Sequence, residues 1–323
     1  LKGESPYVSY AENAFLTTID LQIQKTAEKI LKNCEYNSAA VVLETKTGNI
    51  LAMASTPTYS PQQIEKILGS NSGCLINKAL QGYPPGSVFK IVTAAAALEA
   101  GADTEELKFD CSGEERFGDI KIKCTAAHGE LNLTEAFAKS CNCAFIQLAQ
   151  NTGYEAIKNM AQKMGMGTKA LGFKEESAGQ ITTEQEAAGA GIANMAIGQG
   201  TLLATPLQAA RITNIIANGG IDTGIHIISE KQKSRRVVSE KTAGEITEMM
   251  KAVTEYGTGA GSSTPMCAGK TGSAEAGDMI HGWFTGFFPY DEPEYTITVF
   301  CEDGKSGGNS ALKVFDQIAE TLR

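Results

Sequence analysis

Apolar positions along this chain follow the helical period in some stretches and the strand period in others. Residues 1–16 are polar and aperiodic and read as the end of a linker. Thr18-Ile19-Asp20 then caps a helix running to about Asn33, with Leu21, Ile23, Ala27, Ile30 and Leu31 as its apolar face. Two strand-like runs follow, Ala39 to Glu44 and Asn49 to Ala54. The turn Thr45-Lys46-Thr47-Gly48 joins them, so the pair predicts a hairpin at one edge of a sheet. A long helical and loop region occupies about 60–220. In it, Pro84 and Pro85 force a helix to begin near Gly86 or Ser87, and that helix stops at Gly101. A second helix is predicted over Leu133 to Gln150, a third from Thr205-Pro206 to Asn218, and a fourth over 239–256. Strand character returns in Met266 to Ser273, Gly282 to Phe288 and Tyr295 to Cys301. A helix from Ser306 to Leu322 closes the chain. Strands at both ends with helices between predict an α/β (α+β) fold, with one central antiparallel sheet flanked by helices plus a mostly helical subdomain.

Composition narrows the function classes. The chain has 323 residues, enough for one or two domains, and a net charge of −9. That balance argues against a nucleic-acid surface and against an anionic-membrane patch. The one basic cluster, Lys231 to Arg236, reads as a solvated loop. No apolar run reaches the ~20 residues that span a bilayer. The chain begins at Leu1 rather than Met, so it reads as an excised piece, from which an anchor or targeting segment could have been removed. None of the eight cysteines forms a C-x-x-C pair and there are three histidines, so the spacing predicts no metal site. Cys141 and Cys143 read as small core residues of a helix. Cys111 and Cys124 flank a strand-turn-strand, and a disulfide between them is open if the compartment oxidises.

The candidate chemistry starts at Tyr83-Pro84-Pro85-Gly86-Ser87-Val88-Phe89-Lys90. Residues three apart share a helix face, so Lys90 can sit against Ser87 and take its proton. The helix start adds backbone N–H groups for an oxyanion. A second S-x-x-K, Ser310 to Lys313, lies on an amphipathic C-terminal segment and reads as a surface serine and lysine. Ser140-Cys141-Asn142 is the one S-x-N of the chain. Inside a helix, Ser and Asn ordinarily face water or bond back to the backbone; the functional reading makes Ser140 a proton relay and Asn142 a partner for a peptide amide. Lys270-Thr271-Gly272-Ser273 lies on a strand, where Gly272 suggests close approach of a ligand backbone and Lys270 a carboxylate partner. Its decoy, Lys46-Thr47-Gly48, is explained by the hairpin turn.

In order and spacing, Ser87-x-x-Lys90, Ser140-x-Asn142 and Lys270-Thr271-Gly272 resemble the class B, monofunctional penicillin-binding transpeptidases of bacterial cell-wall synthesis. Ile197-Gly198-Gln199-Gly200 and Ala204-Thr205-Pro206-Leu207-Gln208 add to the likeness, which runs from about Thr17 to the C-terminus. Ser273 departs from it, standing where threonine is commoner. The resemblance implies a transpeptidase domain over 17–323 and a missing N-terminal pedestal and anchor. It implies a serine D-Ala-D-Ala transpeptidase with no cofactor, acting on peptidoglycan stem peptides and acylated by β-lactams. It also implies the extracytoplasmic face of the bacterial membrane, and a membrane glycosyltransferase partner for the full-length protein. The catalytic residues are then Ser87, Lys90 and Ser140, with the Ser87 and Ser273 N–H groups as the oxyanion hole. Asn142, Lys270, Thr271 and Gly272 would bind substrate. A D,D-carboxypeptidase, a serine β-lactamase and a penicillin-sensor domain are the competing readings. The lactamase needs a base for deacylation, and neither Glu184 nor Glu186 is marked as one.

Overall fold

Asp20 opens helix α1 (Leu21–Lys32) by accepting the Gln22 and Ile23 amides at 2.8 and 3.0 Å. The computed structural model describes residues 16–323 except 61, 63, 70, 71, 105, 118, 119 and 229–232. The expected linker therefore lies outside the described residues up to position 15. After α1 come β1 (Ser38–Glu44) and β2 (Ile50–Ser55), then α2 (Ile64–Ile67) and a 3-10 turn, Gly86–Phe89, that runs into α3 (Lys90–Glu99). Four short strands follow: β3 (Phe109–Cys111), β4 (Glu114–Phe117), β5 (Ile120–Lys123) and β6 (Gly129–Leu131). Helices α4 (Leu133–Ala138), α5 (Asn142–Thr152), α6 (Tyr154–Lys163), α7 (Gly191–Ala196) and α8 (Pro206–Ala217) complete the middle of the chain. The ribbon β7 (Ile221–Asp222) and β8 (Arg235–Arg236) precedes α9 (Glu240–Glu255). Strands β9 (Ala268–Ala276), β10 (Met279–Phe288) and β11 (Tyr295–Cys301) and helix α10 (Ala311–Glu320) end it.

The main sheet runs β2-β1-β11-β10-β9, each neighbour antiparallel. The predicted hairpin forms one edge and β9 the other. Alternation along the strands divides two cores. Ala39, Val41, Leu43, Trp283 and Phe287 enter one, while Ala40, Val42, Phe284 and Phe288 enter the other with α1 and α10. Because both faces are covered, β1 reads as an unbroken apolar run. On the larger side α8 docks through hydroxyls: Thr213 bonds Thr285 at 2.6 Å, Thr285 bonds Thr298 at 2.6 Å, and Thr296 donates to Asn214 Oδ1 at 2.9 Å. All four threonines and Asn214 are buried, so each such bond satisfies a group that would be costly alone.

Three expectations need correction. The helix over Leu133 to Gln150 is two helices. Asn132 and Glu135 form a capping box at the start of α4. It ends as Ser140 N–H bonds Phe137 O and Cys141 N–H bonds Ala136 O, the paired bonds that close a helix around a left-handed residue. That residue is Ser140, at φ 54°, where glycine is usual. Cys141 then caps α5. Second, α10 starts at Ala311 rather than Ser306, because Ser306–Ser310 turn back on themselves (Ser310 N–H to Ser306 O, 3.1 Å). Third, the described end of the basic stretch is no solvated loop. Arg235 and Arg236 form β8 against β7, and Arg235 joins Arg211 on the buried Asp222 carboxylate. Lys231 lies outside the described residues.

Candidate active site

A cleft of about 370 Å³ opens where β9 meets the turn before α3 and the break between α4 and α5. Ser87, Ser140, Asn142, Thr271 and Ser273 all line it, so the three separated motifs converge. Two glycines let the backbones touch. Gly86 has φ 54°, and a Cβ there would lie 2.6 Å from Ser273 O. A Cβ on Gly272 would lie 3.0 Å from both Trp283 Cβ and Val88 Cγ2. The close approach that Gly272 permits within this chain is to the Pro85–Val88 turn and to Trp283.

Ser87 sits half-buried in the 3-10 turn, and its hydroxyl carries no hydrogen bond among the described residues. Lys90 is fully buried one turn on. Its Nζ donates to Ser140 O at 2.6 Å and Asn142 Oδ1 at 2.8 Å, with Ser140 Oγ at 3.3 Å. The expected Ser87–Lys90 contact is therefore replaced by a contact from Lys90 to the α4–α5 break. Burial pushes the Lys90 amine down to about 7. Lys270 is also fully buried and donates to Ser140 Oγ at 3.0 Å and to Thr271 O at 3.0 Å. Burial, and then the neighbouring Lys90 charge, push it well below the ordinary lysine range. Lys270 thus faces inward to Ser140, and the cleft side of its strand is carried by Thr271 and Ser273.

Ser140 lies at the junction. A hydroxyl accepts two bonds and donates one. While Lys90 is protonated, both lysines donate to Oγ and the Ser140 proton is free for the cleft. A neutral Lys90 amine has two N–H donors, which match its two shortest contacts, Ser140 O and Asn142 Oδ1. Its lone pair then remains to accept a proton. Asn142, the first residue of α5, is held at both ends of its amide, since Nδ2 donates to Lys123 O at 3.0 Å. Thr258, in the turn after α9, was not expected; its hydroxyl bonds that of Thr271 and it lines the cleft. The only earlier signal there was the helix stop at Gly257.

The decoys lie elsewhere. Lys46-Thr47-Gly48 is the β1–β2 turn, with Gly48 at φ 75°. Ser310 is buried rather than at the surface, and donates to Ser306 O at 2.8 Å. All eight cysteines are free, and Cys111 and Cys124 are not hairpin partners, because β3 pairs with β6 while β4 pairs with β5. Instead the ligand atoms of Cys111, Cys124, His128 and Cys141 all lie within 4.8 Å of one another. The spacing Cys-x12-Cys-x3-His-x12-Cys carries this set, and a search for C-x-x-C pairs misses it.

Residues 38–320 match the penicillin binding protein transpeptidase domain family. The peptidoglycan D,D-transpeptidase PbpA of Mycolicibacterium smegmatis is 33% identical, over 89% of this chain and 67% of its own length. The peptidoglycan D,D-transpeptidase MrdA of Acinetobacter baumannii is 29% identical, over 93% of this chain and 52% of its own. The chain thus spans about two thirds of PbpA and about half of MrdA. Among solved structures, the penicillin G acyl-enzyme of penicillin-binding protein A from M. tuberculosis superposes with a TM-score of 0.87 at 28% identity. That match covers 96% of this chain and 80% of the other.

Proposed function

Because this chain belongs to the penicillin binding protein transpeptidase domain family, in its class B branch, we propose that it cross-links peptidoglycan stem peptides through an acyl-enzyme on Ser87. The observation that carries the reading is the single cleft shared by Ser87, Ser140, Asn142, Thr271 and Ser273.

Ser87 Oγ attacks the penultimate D-alanine carbonyl of a donor stem. Neutral Lys90 takes its proton, a contact that tightens when substrate enters. The Ser87 and Ser273 N–H groups hold the oxyanion, where one donor is worth roughly 3–4 kcal/mol. Ser140, bonded to both lysines, passes a proton to the departing D-alanine nitrogen. An amine of a neighbouring stem then attacks the ester carbonyl and Ser87 leaves as the hydroxyl. Thr271 and Ser273 receive the terminal carboxylate of the donor. Lys270 acts through its hydrogen bonds to Ser140 Oγ and Thr271 O rather than by contact with substrate. β-Lactams, mimicking the D-Ala-D-Ala end, acylate the same oxygen.

No aspartate or glutamate lines the cleft among the described residues. Glu186 is exposed and held by the Thr183 N–H and hydroxyl. This favours a long-lived acyl-enzyme over the rapid hydrolysis of a lactamase. The substrate places the domain on the extracytoplasmic face of the membrane. No described helix is long and apolar enough to cross a membrane. From the same substrate we propose an N-terminal anchor and a membrane glycosyltransferase partner for the full-length protein. The test is a D-Ala-D-Ala pentapeptide donor offered with and without an amino acceptor. Cross-linked product with released D-alanine supports transpeptidation; hydrolysis alone, unaffected by acceptor, makes the domain a carboxypeptidase.

A further inference from the structure

The four side chains gathered beside the cleft have the chemistry and the spacing of a metal centre. We propose that Cys111, Cys124, His128 and Cys141 bind one zinc ion, and that the ion fixes the α4–α5 break carrying Ser140 and Asn142. Tetrahedral zinc, with Zn–S of about 2.3 Å and Zn–N of about 2.0–2.1 Å, sets S···S edges near ~3.8 Å and S···N edges near ~3.6 Å. Cys124 Sγ lies 3.8 Å from Cys141 Sγ, and His128 Nδ1 lies 3.5 Å from Cys111 Sγ and 3.6 Å from Cys124 Sγ. These match three of the six edges of that tetrahedron, and the other three lie within 4.8 Å. The ligands come from the end of β3, the segment after β5 and the N-cap of α5, so an ion would tie three stretches together. Amides already point at two of the sulfurs, Asn142 N–H at Cys124 Sγ (3.2 Å) and Ala144 N–H at Cys141 Sγ (3.5 Å). Such bonds orient and stabilise metal-bound thiolates. The Cys111 thiol, donating to Ala126 O at 3.4 Å, would give up that proton. Binding is balanced as one Zn²⁺ taken up, three thiol protons released and the neutral imidazole coordinating through Nδ1. Cys124 and His128 are only half-buried, which leaves the ion a route in. Cys143, one residue beyond Asn142, faces the core and is not part of the set.

The consequence for the active site follows from position. Cys141 stands between Ser140, which both lysines bond, and Asn142, which Lys90 bonds. The metal assignment rests on the four ligands alone; its effect on acylation rests on the roles proposed for Ser140 and Asn142.

The whole protein, purified under reducing conditions, is analysed for metal, then stripped and titrated with Co²⁺. One zinc per chain is expected. The cobalt form should show thiolate-to-metal charge transfer and the intense visible bands of a tetrahedral site, both displaced by Zn²⁺. Cys124→Ser should abolish the signal. Should that variant fail to fold, His128→Cys keeps four ligands and should raise the charge-transfer intensity by about a third, from three thiolates to four. Weak six-coordinate cobalt bands, or no retained zinc, overturn the proposal. So does a count of six free thiols with Cys124 linked to Cys141, a disulfide that would need Sγ–Sγ near ~2.05 Å. Penicillin labelling separates the two readings. Zinc binding with no Ser87 adduct rejects the function and keeps the metal site; an adduct forming equally fast in stripped protein rejects the positioning role.

Discussion

The rate at which penicillin acylates Ser87 should follow the protonation of Lys90, and the burial of that amine sets the size of the effect. Lys90 Nζ is wholly buried and meets only neutral oxygens, Ser140 O, Ser140 Oγ and Asn142 Oδ1. Its amine is pushed down to about 7, against ~10.4 for an ordinary lysine. Only the neutral amine can take the Ser87 proton. That form makes up roughly nine tenths at about pH 8 and roughly one tenth at about pH 6. The second-order rate constant for a fluorescent penicillin should therefore fall about tenfold between those two pH values and level off above about pH 8. A rate still rising tenfold per unit beyond about pH 9 would put the base at an ordinary lysine. A flat profile would mean no titrating base at all. The same shift acts on stability. The folded value lies below the unfolded value of 10.5, so between about 7 and 10.5 the unfolded chain holds a proton that the folded chain does not. Stability then rises with pH across that window. For Lys90 the gain from about pH 7 to about pH 9 is on the order of 2 kcal/mol, and Lys90→Met should remove that part of the urea-midpoint pH dependence.

Ser140→Gly suits the φ of 54° but deletes the shared hydroxyl. Its melting temperature should hold or rise while acylation slows by about 10²-fold or more; a melting temperature that falls along with the rate would make Ser140 structural. Gly272→Ala would set a Cβ 3.0 Å from Trp283 Cβ and Val88 Cγ2. Urea unfolding should report a loss of about 1–3 kcal/mol, and an unchanged midpoint would show that β9 and the Ser87 turn are not packed this closely. Thr285→Val strips a partner from the buried Thr213 and Thr298 hydroxyls. A cost of about 1–3 kcal/mol is expected by the same measurement, and a neutral result would mean that those hydroxyls find other acceptors.

The parts legible from sequence are those whose physics is local. The prolines before Gly86 and the alanine-rich run after Lys90 place the Ser87 helix correctly, and β1, β10 and β11 show themselves as apolar runs because both their faces are covered. The break at Ser140 is not legible. Its closing bonds are backbone bonds, and the left-handed position holds a serine where glycine would have marked the stop. The inward turn of Lys270 escapes for a different reason. A strand's period of two says which face a residue takes, but not that Ser140, 130 positions away, will meet it there. Thr258 joins the cleft only through tertiary packing, and the Cys-His set is carried by spacings longer than a C-x-x-C pattern reads.

Three distant segments converge to make one serine hydroxyl reactive. Intact-mass analysis after benzylpenicillin, with peptide mapping of the adduct, tests this most directly. One penicilloyl group per chain is expected, on the peptide containing Ser87, and none in Ser87→Ala. An adduct on Ser140 or Ser310, or an unmodified chain that still folds, would contradict it.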